Sequence, residues 1–304
     1  VEPSWRAFFQ GFDFGIERGT NILENEEVPE SVRKEFQVIK LIDGYRTRGH
    51  LFTKTNPVRE RRKYSPTLDI ENFGLSESDL DTIFNAGSIM GIGPTSLKNI
   101  IVHLKKVYCD AIGIEYMYIR DPKKLSWIQE RLNINVNSPN FSPDEKKHIL
   151  NKLNQAVSFE NFLHTKYVGQ KRFSLEGGES LIPALDSLIL AADDLGVEEF
   201  VMGMAHRGRL NTLANIFGKS TKDIFSEFDG KDYDEDVFDG DVKYHMGWTS
   251  KIDPNKDGKK INISLAPNPS HLETVGAVVQ GIARAQLENK YLSDTSKVMP
   301  FIVH

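Results

Sequence analysis

One stretch constrains this chain more than any other: Val201-Met-Gly-Met-Ala-His206-Arg207-Gly208-Arg209-Leu-Asn211. Its apolar run stops at Ala205. A histidine and two arginines then fall within four residues, divided by a glycine, and Leu210, Leu213, Ala214 and Phe217 follow at helical spacing. A strand that runs straight into a tight turn and a helix is half of a βαβ unit. Sheets built from such units bind ligands beyond the carboxyl ends of their strands. The free N–H groups of a helix start favour anions, and Arg207 and Arg209 add formal positive charge. The turn is therefore a candidate anion site.

The surroundings agree with that unit. From about Phe159 strands and helices alternate. Strands are predicted over residues 171–175, 200–205, 261–265 and 298–303. Helices are predicted over 181–195, from Leu210 onwards, and over 222–228 and 271–287. Alternation of this kind predicts an α/β fold with a largely parallel sheet flanked by helices. Residues 1–158 instead read as a mostly helical N-terminal region. Apolar residues recur on one face from Val32 to Tyr45. Leu97, Ile100, Ile101, Leu104, Val107 and Tyr108 form a stripe after the cap candidates Thr95 and Ser96, with His103 off the stripe and facing solvent. Ser142-Pro143-Asp144-Glu145 carries a capping box with proline in the first turn. Ile114–Ile119 is apolar with ambiguous periodicity. The predicted division is 1–158 and 159–304.

Totals exclude several classes. At 304 residues and a net charge of −5, the chain has no general attraction for nucleic acid or acidic membranes. No apolar run of about 18 residues exists, so a membrane span is not expected. The single cysteine, Cys109, rules out an internal disulfide, fits a reducing compartment, and lies in an apolar pattern that predicts a buried structural thiol. Residues 229–241 hold seven carboxylates, but not at EF-hand spacing, and read as a solvated loop rather than a Ca²⁺ site. Arg59, Arg61, Arg62 and Lys63 form a basic cluster better explained as a solvated face than as an anion site. There is no Walker A loop, no Gly-x-Gly-x-x-Gly turn, no zinc-ligand spacing and no serine elbow.

Four blocks sit where an α/β sheet delivers its functional loops. They are Arg172-Phe173 with the Glu176-Gly-Gly turn, His206-Arg207, Lys243-Tyr-His245-Met-Gly-Trp-Thr249, and Asn268-Pro-Ser270-His271-Leu272-Glu273. Each has a plain structural explanation taken singly. Ser270 and Glu273 match a capping box, and a lone His206, His245 or His271 is more often a hydrogen-bonded structural residue than a catalyst. Their convergence on one sheet edge is what points to chemistry. Two histidines and an arginine suit a dianionic substrate or a diphosphate.

Three of these blocks resemble the signature segments of the E1 components of 2-oxoglutarate dehydrogenase: His206-Arg-Gly-Arg-Leu-Asn211, Lys243-Tyr-His-Met-Gly247 and Asn268-Pro-Ser-His-Leu-Glu273. Lys171-Arg-Phe-Ser-Leu-Glu-Gly177, Arg46-Thr-Arg-Gly-His-Leu51, Ile114–Ile119 and Trp127-Ile-Gln-Glu-Arg131 resemble further segments of that family. The resemblance implies a thiamine diphosphate-binding fold and a Mg²⁺-dependent enzyme. Such an enzyme decarboxylates 2-oxoglutarate in the tricarboxylic acid cycle and passes a succinyl group to the lipoyl arm of an E2 partner. It implies that Arg207 contacts cofactor and substrate, that His206 and His245 are catalytic and line the 2-oxo acid pocket, and that Ser270 lies near both ligands. Leu272 would touch the cofactor, and Phe173 and Thr249 would line the pocket. A homodimer in the bacterial cytoplasm, or in the mitochondrial matrix of a eukaryote, is also implied.

The beginning at Val1 and the ending at His304 predict a piece of a longer protein. In the family a Gly-Asp motif and a downstream asparagine supply the metal ligands past this point, so the fragment alone is expected to be inactive. Two alternatives share the same blocks. One is an E1 for a related 2-oxo acid such as 2-oxoadipate, or a 2-oxoglutarate decarboxylase. The other is a non-catalytic dicarboxylate- or phosphate-binding module.

Overall fold

A computed structural model describes residues 29–56, 58–59, 67–136, 138–228, 245–268 and 272–304. The acidic run 229–241, most of the basic cluster at 59–63, and Ser270 and His271 lie outside the described residues. The chain divides into two compact units, 1–140 and 141–304.

In the first unit, helix α1 (Glu30–Arg48) and helix α2 (Leu97–Tyr108) bury the stripes the sequence marks. Val38, Leu41 and Ile42 of α1 share one core with Leu97, Ile100, Leu104 and Val107 of α2. Ser96 caps α2 by accepting from the Asn99 N–H. His103 departs from expectation: it is half-buried and hydrogen-bonded to Asn133 Oδ1 of helix α3 (Pro122–Asn135) at 3.2 Å. Residues 114–119 form no regular element; Tyr116 is buried there, its hydroxyl 3.1 Å from that of Tyr108. Cys109 is half-buried, and burial raises its thiol pKa to about 11, so it is an inert thiol at neutral pH. The unit also holds a minimal antiparallel pair, β1 (Ile83–Phe84) and β2 (Thr95–Ser96), and short 3-10 turns such as Asn85–Met90.

The second unit is an α/β layer. Strands β3 (Glu199–Met204), β4 (Trp248–Ile252), β5 (Ile261–Leu265) and β6 (Val298–Val303) form one sheet in the order β4-β5-β3-β6. β3 is parallel to β5 and to β6, and β4 is antiparallel to β5. Helix α4 (Pro143–Lys166) opens with the full Ser142/Glu145 capping box. It runs across the point where the sequence grammar changes, and lies wholly within the second unit. Helices α4, α5 (Leu181–Asp194), α6 (Arg209–Asn215) and α7 (Thr221–Phe228) share a core with one sheet face, through residues such as Phe159, Leu185, Leu213, Phe200, Met202 and Ile263. Helix α8 (Leu272–Lys290) covers the other face with Val275, Val279 and Ala283, packed on Val201, Ala266 and Val298. Among the described residues no helix is long and apolar enough to cross a membrane.

Two sequence expectations fail here. Residues 171–175 form no strand. Their polar backbone groups find non-sheet partners: the Leu175 N–H donates to the Glu160 carboxylate and the Phe173 carbonyl accepts from Gly208. Phe173 also has φ +45, which no strand residue adopts. Conversely, β4 is a strand that the sequence reading did not predict. Its sides alternate between half-buried and exposed, as on an edge strand.

β3 is buried on both faces, which a central strand requires. Gly203 is what lets α8 close on it. A Cβ there would stand 2.7 Å from Val279 Cγ2 and 3.0 Å from Val275 Cγ2. Gly203→Ala should therefore lower stability by about 1–3 kcal/mol through overpacking. The check is a urea unfolding midpoint, and Val279→Ala in the same background should recover part of the loss.

Candidate active site

The candidate residues lie on loops at the carboxyl ends of β3 and β5. β3 ends at Met204, and His206 and Arg207 occupy the turn before α6. Gly208 sits at φ +76, packed so closely that a Cβ would lie 2.4 Å from Leu175 Cδ1. Only glycine fits both demands. Its N–H donates to the Phe173 carbonyl at 2.7 Å. That bond docks the Phe173 segment against the turn, and the Phe173 ring comes 4.2 Å from the His206 ring, centre to centre. Phe173 carries its positive φ at a cost of about 1–2 kcal/mol, and strain of this kind clusters at functional sites.

A buried carboxylate fixes this arrangement from below. Glu160 of α4, 3% exposed, accepts from the Leu175 N–H at 3.1 Å and from Asn211 Nδ2 at 3.0 Å. Asn211 Nδ2 also donates to the Ala156 carbonyl at 2.9 Å. One side chain thus ties α4, the Phe173 segment and α6 together. Arg172 lies alongside, bonded to His164 Nδ1 at 2.9 Å and to Glu176 at 3.3 Å.

Arg209 is not a ligand-facing cation. It is fully buried, and its guanidinium donates to three carbonyls: Met204 at 3.2 Å, Met246 at 2.7 Å and Ala266 at 2.6 Å. Those carbonyls belong to the end of β3, the segment entering β4, and the residue just after β5. The sequence expectation that Arg209 adds charge to an anion site is thus corrected: its charge is directed into backbone dipoles. Arg207 is the exposed cation of the pair, with no hydrogen bond or ion pair to a described residue in the structure.

His245 follows from this anchoring. It stands one residue before Met246, and its carbonyl accepts from the Asn268 N–H at 2.9 Å. Its ring lies 6.1 Å from the His206 ring. The structure therefore brings His206, His245 and Phe173 together, with Arg207 on the same turn. Thr249 is exposed on β4, where its hydroxyl donates to Ser264 Oγ at 3.3 Å. Leu272 opens α8, while Ser270 is outside the described residues. Sequence reasoning missed Glu160, whose only signal was a carboxylate on the apolar side of a helix, and the structural part of Asn211. Among the described residues no group of three or more His, Cys, Asp or Glu side chains is placed to hold a metal ion.

The His206 pKa lies below the ordinary 6.5, first because of burial and then because His245 and Arg207 add positive potential. The imidazole is therefore neutral at pH 7 and can donate or accept one hydrogen bond at each nitrogen according to tautomer.

Similarity to known proteins fits this geometry. No family model matches the chain. A 2-oxoglutarate dehydrogenase E1 component of Cupriavidus necator is 47% identical over 274 residues, which is 90% of this chain and 28% of that protein. Proteins of the same name from Brucella canis and Brucella suis are 41% identical over 295 residues, 93% of this chain and 29% of theirs. The chain is a homologue of 2-oxoglutarate dehydrogenase E1 components. It spans less than a third of the length of these relatives. The helical first unit and the α/β second unit agree with the fold expected for a piece of such a protein.

Two measurements check the site as built. Arg209→Met removes the donors to three buried carbonyls and should cost about 3 kcal/mol, read from a denaturant midpoint. In an NMR titration His206 should protonate below 6.5, and His245→Gln should raise its midpoint only in part, because burial is the larger cause. The sign for stability follows. The unfolded chain takes up this proton first as pH falls, so the neutral ring's contribution is complete above the ordinary value and declines towards the folded one.

Proposed function

We propose that this chain is part of a thiamine diphosphate-dependent E1 enzyme acting on 2-oxoglutarate. The observation that carries the reading is the pairing of a neutral, half-buried His206 with His245 beside the exposed Arg207, all at the carboxyl end of a parallel sheet. A substrate with two carboxylates and a carbonyl needs one cation and several hydrogen-bonding groups in a partly desolvated pocket. Arg207 meets a carboxylate or a diphosphate oxygen. His206 and His245 bind and orient the 2-oxo acid and hold or move a proton at its carbonyl oxygen. Phe173 excludes water from the His206 side, and Thr249 extends the pocket along β4.

The residues present fit an anionic cofactor. An exposed guanidinium stands at a strand end, and Asn268, bonded through its backbone to His245, carries a buried amide with no hydrogen-bond partner among the described residues for either of its polar atoms. Arg207, Ser270 and Leu272 would hold thiamine diphosphate. When bound, that group supplies the electron sink for decarboxylation. The Mg²⁺ that anchors the diphosphate is assigned to ligands in the rest of the protein. The lipoyl group of an E2 dihydrolipoyl succinyltransferase would accept the succinyl product, within the tricarboxylic acid cycle. Residues 159–304 with the preceding part of α4 form the first part of the cofactor domain, in a homodimer of the bacterial cytoplasm, and this fragment alone does not turn over.

The test uses the full-length protein with thiamine diphosphate, Mg²⁺, 2-oxoglutarate and an artificial electron acceptor. Arg207→Ala and His245→Ala should each lower kcat/KM by about a hundredfold or more. Unchanged kinetics in both variants overturns the assignment. Binding of 2-oxoglutarate without turnover by the wild type favours the dicarboxylate-binding module, and faster turnover of 2-oxoadipate favours the related E1.

A further inference from the structure

We propose that Asn268 is a ligand-binding residue of this pocket, its Nδ2–H donating to an anionic oxygen of the bound cofactor or substrate. The inference rests on the functional reading above and adds a residue to it.

Asn268 is 1% exposed, and neither Nδ2 nor Oδ1 has a hydrogen-bond partner among the described residues. Buried amides are almost always satisfied, because leaving one bare forfeits its hydration without return. Neither atom touches solvent, so a ligand oxygen meets them only where the neighbouring side chains give way.

The position says what that ligand is. Trp248 pairs with Leu265 at the end of the β4–β5 ladder. Three residues further along each chain stand His245 and Asn268, and the Asn268 N–H still donates to the His245 carbonyl at 2.9 Å. Asn268 is thereby joined through its backbone to His245, whose ring lies 6.1 Å from His206. Arg209 fixes the spot from both sides, holding Met246 next to His245 and Ala266 two residues before Asn268. A neutral donor on the strand-end segment bonded to that of His245 suits an oxygen of a carboxylate or a phosphate. Both chemistries are available in the proposed reaction, from the substrate and from the diphosphate.

The experiment uses the full-length protein carrying Asn268→Leu, which is similar in size and apolar, and Asn268→Asp, which is isosteric and repels an anion. Asn268→Ala serves should either fail to fold. One arm titrates thiamine diphosphate in the presence of Mg²⁺, read by calorimetry. The other reads KM for 2-oxoglutarate at saturating cofactor. A third measurement follows the unfolding midpoint without ligand.

The expected result is a loss of about tenfold or more in one arm for Asn268→Leu, and a larger loss for Asn268→Asp, with no fall in the ligand-free midpoint of Asn268→Leu. Loss in the cofactor arm assigns the diphosphate, and loss in the KM arm assigns the substrate carboxylate. Unchanged values in both arms overturn the proposal, as does a fall in the ligand-free midpoint with binding intact, which would make the amide a structural group. If the wild type itself binds neither ligand, the functional reading fails and this inference fails with it.

Discussion

The arrangement depends on one buried cation. Arg209 reaches back from the start of α6 and takes the last carbonyl of β3, a carbonyl just beyond β5 and a carbonyl ahead of β4. A strand end normally leaves such acceptors to water. Here a planar fork of donors gathers three of them at once, which an ammonium group has neither the span nor the geometry to do. The effect is to pin the departure points of three loops relative to one another. His206 leaves from the first, Asn268 from the second, and His245 enters from the third. Their mutual positions are a consequence of backbone anchoring, and ring-to-ring contact is only its visible result.

A second anchor works from the opposite side of the turn. Glu160 takes one backbone donor from the Phe173 segment and one side-chain donor from α6. Without it the non-strand course of residues 171–175 would leave the Leu175 N–H unpaired in the core. Gly208 completes the junction, because the close seat of Leu175 leaves no room for a Cβ. The positive φ of Phe173 becomes intelligible in this light. The residue is held by bonds on both sides, its carbonyl by Gly208 and its neighbour by Glu160, so that its ring lies over His206 rather than along a strand.

Much of this was legible in the sequence. The apolar stripe of α2, the capping box of α4, the strand predicted at 200–205 and found at 199–204, and the strands at 261–265 and 298–303 all emerge from the residue pattern, because local periodicity and caps decide them. The His206/His245 pairing was legible as convergence at one sheet edge. What was not legible depends on partners distant in sequence. Lys171-Arg-Phe-Ser-Leu175 has strand-like composition, but its hydrogen bonds go to Glu160 and Gly208, which no window around residue 173 contains. Trp248-Thr-Ser-Lys-Ile252 looks like the end of a loop, and becomes a strand because β5 offers it a free edge. Arg207 and Arg209 look equivalent in the sequence. One is exposed and the other wholly buried, because alternate positions around a tight turn face opposite sides.

That last difference organises the electrostatics of the site. The buried charge of Arg209 is directed to fixed carbonyl dipoles, and the charge of Arg207 is left facing outward. With His206 kept neutral by its burial and by the positive potential of its neighbours, the turn presents the exposed guanidinium of Arg207 beside an uncharged imidazole. A pocket with every basic group protonated would attract any anion, including bulk phosphate, and would hold it without discrimination. A guanidinium beside a neutral imidazole instead demands that a ligand match directional donors and acceptors as well as charge. Selectivity of that kind requires the loops to be rigid to within a fraction of an ångström, which returns the argument to the buried arginine that holds them.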